Sequence, residues 1–252
     1  DMPRYKLKIE YNGRPFVGWQ RQATGCSVQG ALEAAVECFT GEKVIIYGAG
    51  RTDTGVHAIG QVAHVDLSIA RPLHMIRDAL NFHLRPEPIA VISATEVSPD
   101  FHARFSANSR TYLYRIINRR SPLTIESGFA WWIPVPLDIL AMREAASVLL
   151  GHHNFSSFRS AFCQAKSPIK TLDRLDISVK HEEISIHVHA KSFLHNQVRI
   201  IVGSLRNVGE GKWSSKDIER ILKARDRRVA GQTAIPEGLY LLDVGYSKSK
   251  GE

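Results

Sequence analysis

Cysteine is scarce in this chain of 252 residues: Cys26, Cys38 and Cys163 are odd in number and form no C-x-x-C pair. That usage argues against a disulfide framework or a zinc knuckle, and for a reducing, cytoplasmic compartment. Long apolar runs are also missing. None approaches the roughly 20 residues that span a bilayer, and no secretory signal is expected at the start. Asp1 stands ahead of Met2, reads as foreign to the natural start, and is set aside. Metal-ligand spacing is lacking too. Without H-x-x-x-H, a metal held by Asp53, His57 and His64 is disfavoured, and His187 and His189 share a face through strand alternation alone. The glycines at 48, 50 and 55 fit neither G-x-G-x-x-G nor the phosphate-binding G-x-x-x-x-G-K-[ST], and they precede a strand rather than a helix. Finally, negative charge is short: 25 Asp and Glu stand against 33 Lys and Arg, for a net charge of +8 and a pI near 9.5. A basic surface is a footprint for polyanions, nucleic acid first, because each cation can displace a phosphate counterion.

What is present is an ordinary globular balance, 44% hydrophobic and 23% charged, with length enough for one large core or two lobes. RYKLKIEY opens the chain as a half-buried strand, with Tyr5, Leu7, Ile9 and Tyr11 facing one way. A helix is expected over 27–41, with Ser27 as N-cap and Gly41 after its C-terminus; its stripe is Val28, Leu32, Ala35, Val36 and Phe39. Strands are expected on both sides of the 48–58 loop, through Val44, Ile45 and Ile46 before it and from Gln61 to Leu67 after it. A helix follows Pro72, then a strand at 89–97. The second half repeats the order: a strand at 110–118, a helix at 136–150, antiparallel strands at 172–179 and 184–190, helices at 198–208 and 215–224, and a closing strand at 239–244. Strand, helix, strands, helix, strand, given twice, predicts two α+β lobes of split-βαβ type. Their bounds are placed at 2–105 and 106–246, with a polar tail at 247–252.

Three constellations carry chemistry. In GAGRTDTGVHA, residues 48–58, a single carboxylate, Asp53, lies between Arg51 and His57 on a glycine-rich loop. Spacing alone leaves two readings open, a tight turn with a solvated ion pair or a strained functional loop. In FHARFSANSRTYLYRI, residues 101–116, Arg110, Tyr112, Tyr114 and Ile116 share one strand face. Arg and Tyr alternating on a sheet can grip a phosphate and stack a base, although packing against a helix explains the same pattern. In SFLHNQVRIIVGSL, residues 192–205, Arg199 interrupts an apolar helix face. A half-buried Arg needs an anion unless it snorkels to the rim. The attractive partner is Asp53, one residue from each lobe.

These segments, with GHHNFSSFRS (151–160) and AGQTAIPEGLYL (230–241), occur in one order, and together they resemble the bacterial tRNA pseudouridine synthase A family over nearly the whole chain. The resemblance implies an α+β pseudouridine synthase fold: two ferredoxin-like lobes, antiparallel or mixed sheets flanked by helices, and a central cleft. It implies a homodimer and a cofactor-free conversion of uridine to pseudouridine at positions 38–40 of the tRNA anticodon stem-loop. Asp53 would be the nucleophile, whether at C1′, at C6 or by way of the C2′ proton. Arg199 would supply the cation that keeps it ionised, because burial alone favours the neutral acid. Tyr112 would stack on the flipped uracil or move a proton, Arg51 would handle the flipped nucleotide, and Arg110 would contact RNA. Arg4, Lys6, Lys8, Arg119 and Arg120 are expected to grip the RNA backbone. A non-catalytic tRNA-binding module and a metal-dependent nuclease are the rival readings. The chain departs from the family pattern at Thr54, where Ala is usual, at Asn196 and Gln197, where His and Met are frequent, and at Gln232, where Pro is common.

Overall fold

The computed structural model describes residues 2–248, so the expected tail lies outside the described residues from 249 on. The elements are β1 (Arg4–Tyr11), α1 (Val28–Thr40), β2 (Tyr47–Gly48), β3 (His57–Asp66), α2 (Leu73–Leu84), β4 (Ile89–Val97), β5 (Ala107–Asn118), β6 (Trp131–Ile133), α3 (Ile139–Leu149), β7 (Gly151–Asn154), β8 (Ile169–Lys180), β9 (Glu183–Ala190), α4 (Gln197–Gly209), α5 (Ser215–Ala224) and β10 (Leu239–Tyr246). The expected α+β class is what forms. Contacts divide the chain into one compact unit up to Asn108 that also takes in the strand from Tyr240, and another over Ser109–Leu239. The sequence reading instead ended the C-terminal lobe at 246.

In the first unit, β1 lies between β3 and β4, antiparallel to both, and β2 adds to β3; this is the split-βαβ order. The parallel pairing of Tyr240 and Leu241 with His57 and Ala58 places β10 on the other end of β3. Alternation works as expected on β1, where Tyr5, Leu7, Ile9 and Tyr11 are all buried. Helix α1 starts where the Ser27 hydroxyl accepts the Gly30 N–H at 3.0 Å and ends at left-handed Gly41, with Val28, Leu32, Ala35 and Val36 inward. The strand expected through Val44–Ile46 shrinks to Tyr47–Gly48. Helix α1 takes the backbone groups of Ile46 instead: Glu33 Oε2 accepts the Ile46 N–H at 3.0 Å, and Gln29 Nε2 donates to Ile46 O at 2.9 Å. With its N–H and C=O both met by side chains, Ile46 needs no sheet partner.

In the second unit the order is β5-β9-β8-β7, antiparallel throughout, with the short β6 parallel to β5. Its inner face is Tyr114 and Ile116 on β5, Ile184, Ile186 and Val188 on β9, and Leu172 and Leu175 on β8. Helix α3 packs against β8, α4 and α5. It begins at Ile139 rather than 136 because the Asp138 carboxylate caps it, accepting the Ala141 N–H at 3.0 Å. Strands β6 and β7, four residues or fewer, carry too little alternation to be read from sequence.

Candidate active site and nucleic-acid interface

The Asp53 loop is pinned from four sides within the first unit. Gln61, fully buried on β3, clamps Gly50: its Nε2 donates to Gly50 O at 2.7 Å, and its Oε1 accepts the Gly50 N–H at 3.2 Å. Thr52 reaches the Tyr11 hydroxyl of β1 at 2.6 Å. Thr52 O accepts the Trp19 N–H at 3.0 Å, and Asp53 forms an antiparallel bridge with Gly18. The Val56 N–H closes the turn on Asp53 O at 3.0 Å. Thr54, a departure from the family pattern, donates its hydroxyl to Val17 O at 3.0 Å and so adds an anchor. The outcome is a half-buried Asp53 beside an exposed Arg51, on a backbone held at Gly50, Thr52 and Asp53.

The glycines do different jobs from those their spacing suggests. Of 48, 50 and 55, only Gly55 takes a left-handed φ, 82°. Gly48 leaves room for the Trp19 indole, which a Cβ would meet at 2.5 Å. The glycine that the sequence reading missed is Gly18, with φ of 110° and a Cβ position 2.5 Å from Thr52 O. It lies more than thirty residues upstream, so local spacing gave no sign of it.

Neither histidine of the disfavoured metal set points at that chemistry. His57 is 1% exposed; its Nδ1 accepts the Gly13 N–H at 2.9 Å and its ring packs 4.8 Å from Tyr240. His64 Nδ1 accepts the Ala103 N–H at 2.9 Å. Burial, then Arg4 and His102, lower the His64 pKa to about 4, so it is a neutral core histidine.

The remaining site residues lie in the second unit. Tyr112 and Arg110 share a face of β5, opposite Val188 and Ala190. Tyr112 stands edge-on to Phe193 at 5.1 Å, and Arg110 Nη1 donates to Lys191 O at 2.8 Å. Tyr114 leaves this set for the core: it is fully buried, and its hydroxyl donates to Ile235 O at 2.7 Å. Burial raises its pKa well above the tyrosine range. Arg199, half-buried on the first turn of α4, is held by Nε to Ala234 O at 2.7 Å and Nη1 to Asn196 Oδ1 at 3.3 Å. Asn196 accepts a left-handed φ of 62° at the helix start, a conformation Asn tolerates better than most residues. Gln197 next to it is 1% exposed; its Oε1 takes the Leu194 N–H at 2.8 Å, while its Nε2 finds no partner.

Three of the expected backbone-gripping cations are committed to structure. Arg4 pairs with both Asp66 oxygens at 2.8 and 2.9 Å. The ammonium of Lys6 sits 4.4 Å from the Tyr246 ring centre and 5.6 Å from that of Phe101. Arg119 bonds Glu182 at 3.2 Å and the carbonyls of Ser121 and Pro122. Strand alternation put the first two on the outward face but could not show that other elements cover it. Lys8 and Arg120 are exposed.

An α+β scaffold with such a carboxylate loop falls in the class of pseudouridine synthases: residues 8–106 and 145–247 match the family described as tRNA pseudouridine synthase. Proteins named tRNA pseudouridine synthase A from Paramagnetospirillum magneticum and Methylocella silvestris are each 58% identical to this chain. The alignments cover 100% of this chain and 98% of the first relative, and 98% and 100% for the second. One from Sinorhizobium fredii is 57% identical over 97% of this chain and all of its own. A chain in the crystal structure of a Cbf5–Nop10–Gar1 complex aligns with 80% of this one and 45% of itself, at 9% identity and a TM-score of 0.36. The chain belongs to the tRNA pseudouridine synthase A family, and it is an enzyme, an isomerase.

Proposed function

We propose that this enzyme converts uridine to pseudouridine at positions 38, 39 or 40 of the tRNA anticodon stem-loop, with Asp53 as its nucleophile. The observation that carries the reading is the Asp53 loop itself: a single half-buried carboxylate on a backbone clamped through Gly50, Thr52 and the Gly18 bridge, in a chain of this family. Such clamping supplies the preorganisation that covalent catalysis needs. The reaction breaks N1–C1′, turns the uracil, joins C5 to C1′ and releases the C5 hydrogen as a proton while N1 gains one. It consumes no oxidant and no second substrate.

Arg199 is the proposed ion-pair partner of Asp53, always charged and already oriented by Ala234 O and Asn196. The target base is stacked in a stem and must be extruded, at a cost of a few kcal/mol. Tyr112, held edge-on by Phe193, offers the extruded uracil a stacking face. Arg51, exposed two residues before Asp53, is assigned to the flipped nucleotide, and Arg110 to the RNA backbone. The homodimer and a cytoplasmic setting belong to the same proposal. Asp53→Asn is the test: release of tritium from tRNA labelled at uridine C5 is expected to vanish while tRNA binding persists. Turnover near that of the unaltered enzyme would sink the assignment.

A further inference from the structure

The inner face of the second unit's sheet changes character along its strands. On β5 it runs from Ile116 and Tyr114, both fully buried, to half-exposed Tyr112 and Arg110. Paired residues of antiparallel strands share a face, and Arg110 and Leu172 both pair with Ala190, so β5 and β8 flank the end of β9 in step. Two residues before Leu172, on that face of β8, stands Lys170. Just past the end of β9 the chain turns through Lys191, Ser192 and Phe193. There Lys170 Nζ bonds Ser192 Oγ at 2.8 Å, Arg110 bonds Lys191 O at 2.8 Å, and Phe193 meets the Tyr112 ring.

Lys170 is the anomaly. Its ammonium is half-buried, yet its bonded partner is a neutral hydroxyl, and no carboxylate pairs with it among the described residues. Burial lowers its pKa, Cys163 opposes the shift and the like charge of Arg110 adds to it. Folding has therefore partly desolvated an ammonium whose bonded partner is a neutral hydroxyl, which is unfavourable unless an anion arrives.

We infer that Lys170, Arg110 and Ser192 form a phosphate subsite that holds the backbone of the same nucleotide whose base stacks on Tyr112. The inference rests on the RNA-modifying reading above and extends it to a residue that neither the motifs nor the charge count singled out. A phosphodiester supplies the negative charge that Lys170 lacks, and its oxygens accept from the ammonium, the guanidinium and the hydroxyl together. One face of the sheet then presents a base platform on β5 beside a phosphate grip that β8 and the turn after β9 complete.

The test is tRNA binding by Lys170→Gln as a function of salt, with Lys170→Arg and Lys223→Gln beside it; Lys223 is an exposed cation paired with Glu219. Lys170→Gln is expected to weaken binding roughly 3- to 10-fold at moderate salt and to reduce the slope of log K against log salt by about 1. Lys170→Arg should keep both, and Lys223→Gln should change neither. In combination with Tyr112→Ala, the loss should be clearly less than additive, since one nucleotide carries both contacts. If Lys170→Gln keeps the full salt slope in an enzyme that still modifies tRNA, there is no phosphate at Lys170. Strictly additive losses would put that phosphate on a different nucleotide and overturn the inference. An unaltered enzyme that releases no tritium from tRNA would instead sink the proposed function, so the two failures are distinguishable.

Discussion

Replacing Gln61 by Leu tests whether the clamp on Gly50 sets the reactivity of Asp53. Gln61 is fully buried, and so is Gly50. Leu fills a similar volume but removes the donor to Gly50 O and the acceptor for the N–H groups of Gly50 and Val62, which lie at 2.7, 3.2 and 3.1 Å. Stranding the two Gly50 groups costs about 1–3 kcal/mol each, so the loss in stability should be roughly 2–6 kcal/mol. Ordinary stability is about 5–15 kcal/mol, so all but the least stable of such proteins stay folded. With Asp53 as the proposed nucleophile, the larger consequence is catalytic. With Gly50 released, Arg51 and Asp53 lose their fixed approach, and a misplacement of about 1 Å can cost roughly 100-fold in rate. Urea unfolding gives the first number, and tritium release with saturating tRNA gives the second. The expected pattern is a large fall in kcat with KM little changed, because the loop is misplaced rather than removed from contact with RNA. Gln61→Glu should fare no better, since it sets a carboxylate oxygen against Gly50 O. A Gln61→Leu enzyme within about 0.5 kcal/mol of the parent, with kcat unaltered, would refute the argument.

Two further outcomes follow from buried groups. Gln197→Met removes the unpartnered Nε2 but also the acceptor of the Leu194 N–H, effects of opposite sign worth about 1–3 kcal/mol each. The net change in a urea titration should stay under about 1 kcal/mol, and a loss above about 3 would show that Nε2 is satisfied in solution. His64 gives a pH signature. Its folded pKa of about 4 lies below the ordinary 6.5, so under pH 6.5 the unfolded chain binds a proton that the folded one refuses. That contribution is complete above pH 6.5 and is lost as pH falls to about 4, at most about 3 kcal/mol. His64→Gln keeps an acceptor for the Ala103 N–H and should flatten this part of the pH dependence. Identical slopes for parent and variant between pH 7 and 4 would rule out His64 as its source.

Much of the fold was legible in local pattern. Helices α1 and α5 and strand β4 fall within a residue of where caps and periodicity put them, because an amphipathic stripe and a cap are properties of consecutive residues. Val44–Ile46 failed as a strand, and at Ile46 the reason is one no local pattern contains: Gln29 and Glu33 of α1 occupy its backbone groups. The surroundings of Arg4 and Lys6 were hidden in the same way. Arg4 and Lys6 alternate outward correctly, yet Asp66, Tyr246 and Phe101 cover them from strands and loops far along the chain. Tyr112 and Tyr114 are indistinguishable by alternation, and their roles separate only where the sheet's apolar core ends.

The sequence by itself determined the α+β class, the basic character and the identity of the Asp53 loop as the centre of interest. Residue type and short-range spacing carry that information: a lone carboxylate among glycines, an aromatic–basic strand, an Arg on an apolar helix. Tertiary structure alone decided how the loop is held, by Gln61, Tyr11 and Gly18, and that His57 and His64 serve the core. It also decided that Lys170, an ordinary lysine in the sequence, lies half-buried beside another cation with no carboxylate bonded to it. Those facts depend on which groups meet across strands and on how much water reaches them. Burial and pairing are set by contacts between residues remote in the chain, and they govern both the cost of a charge and the satisfaction of a hydrogen bond.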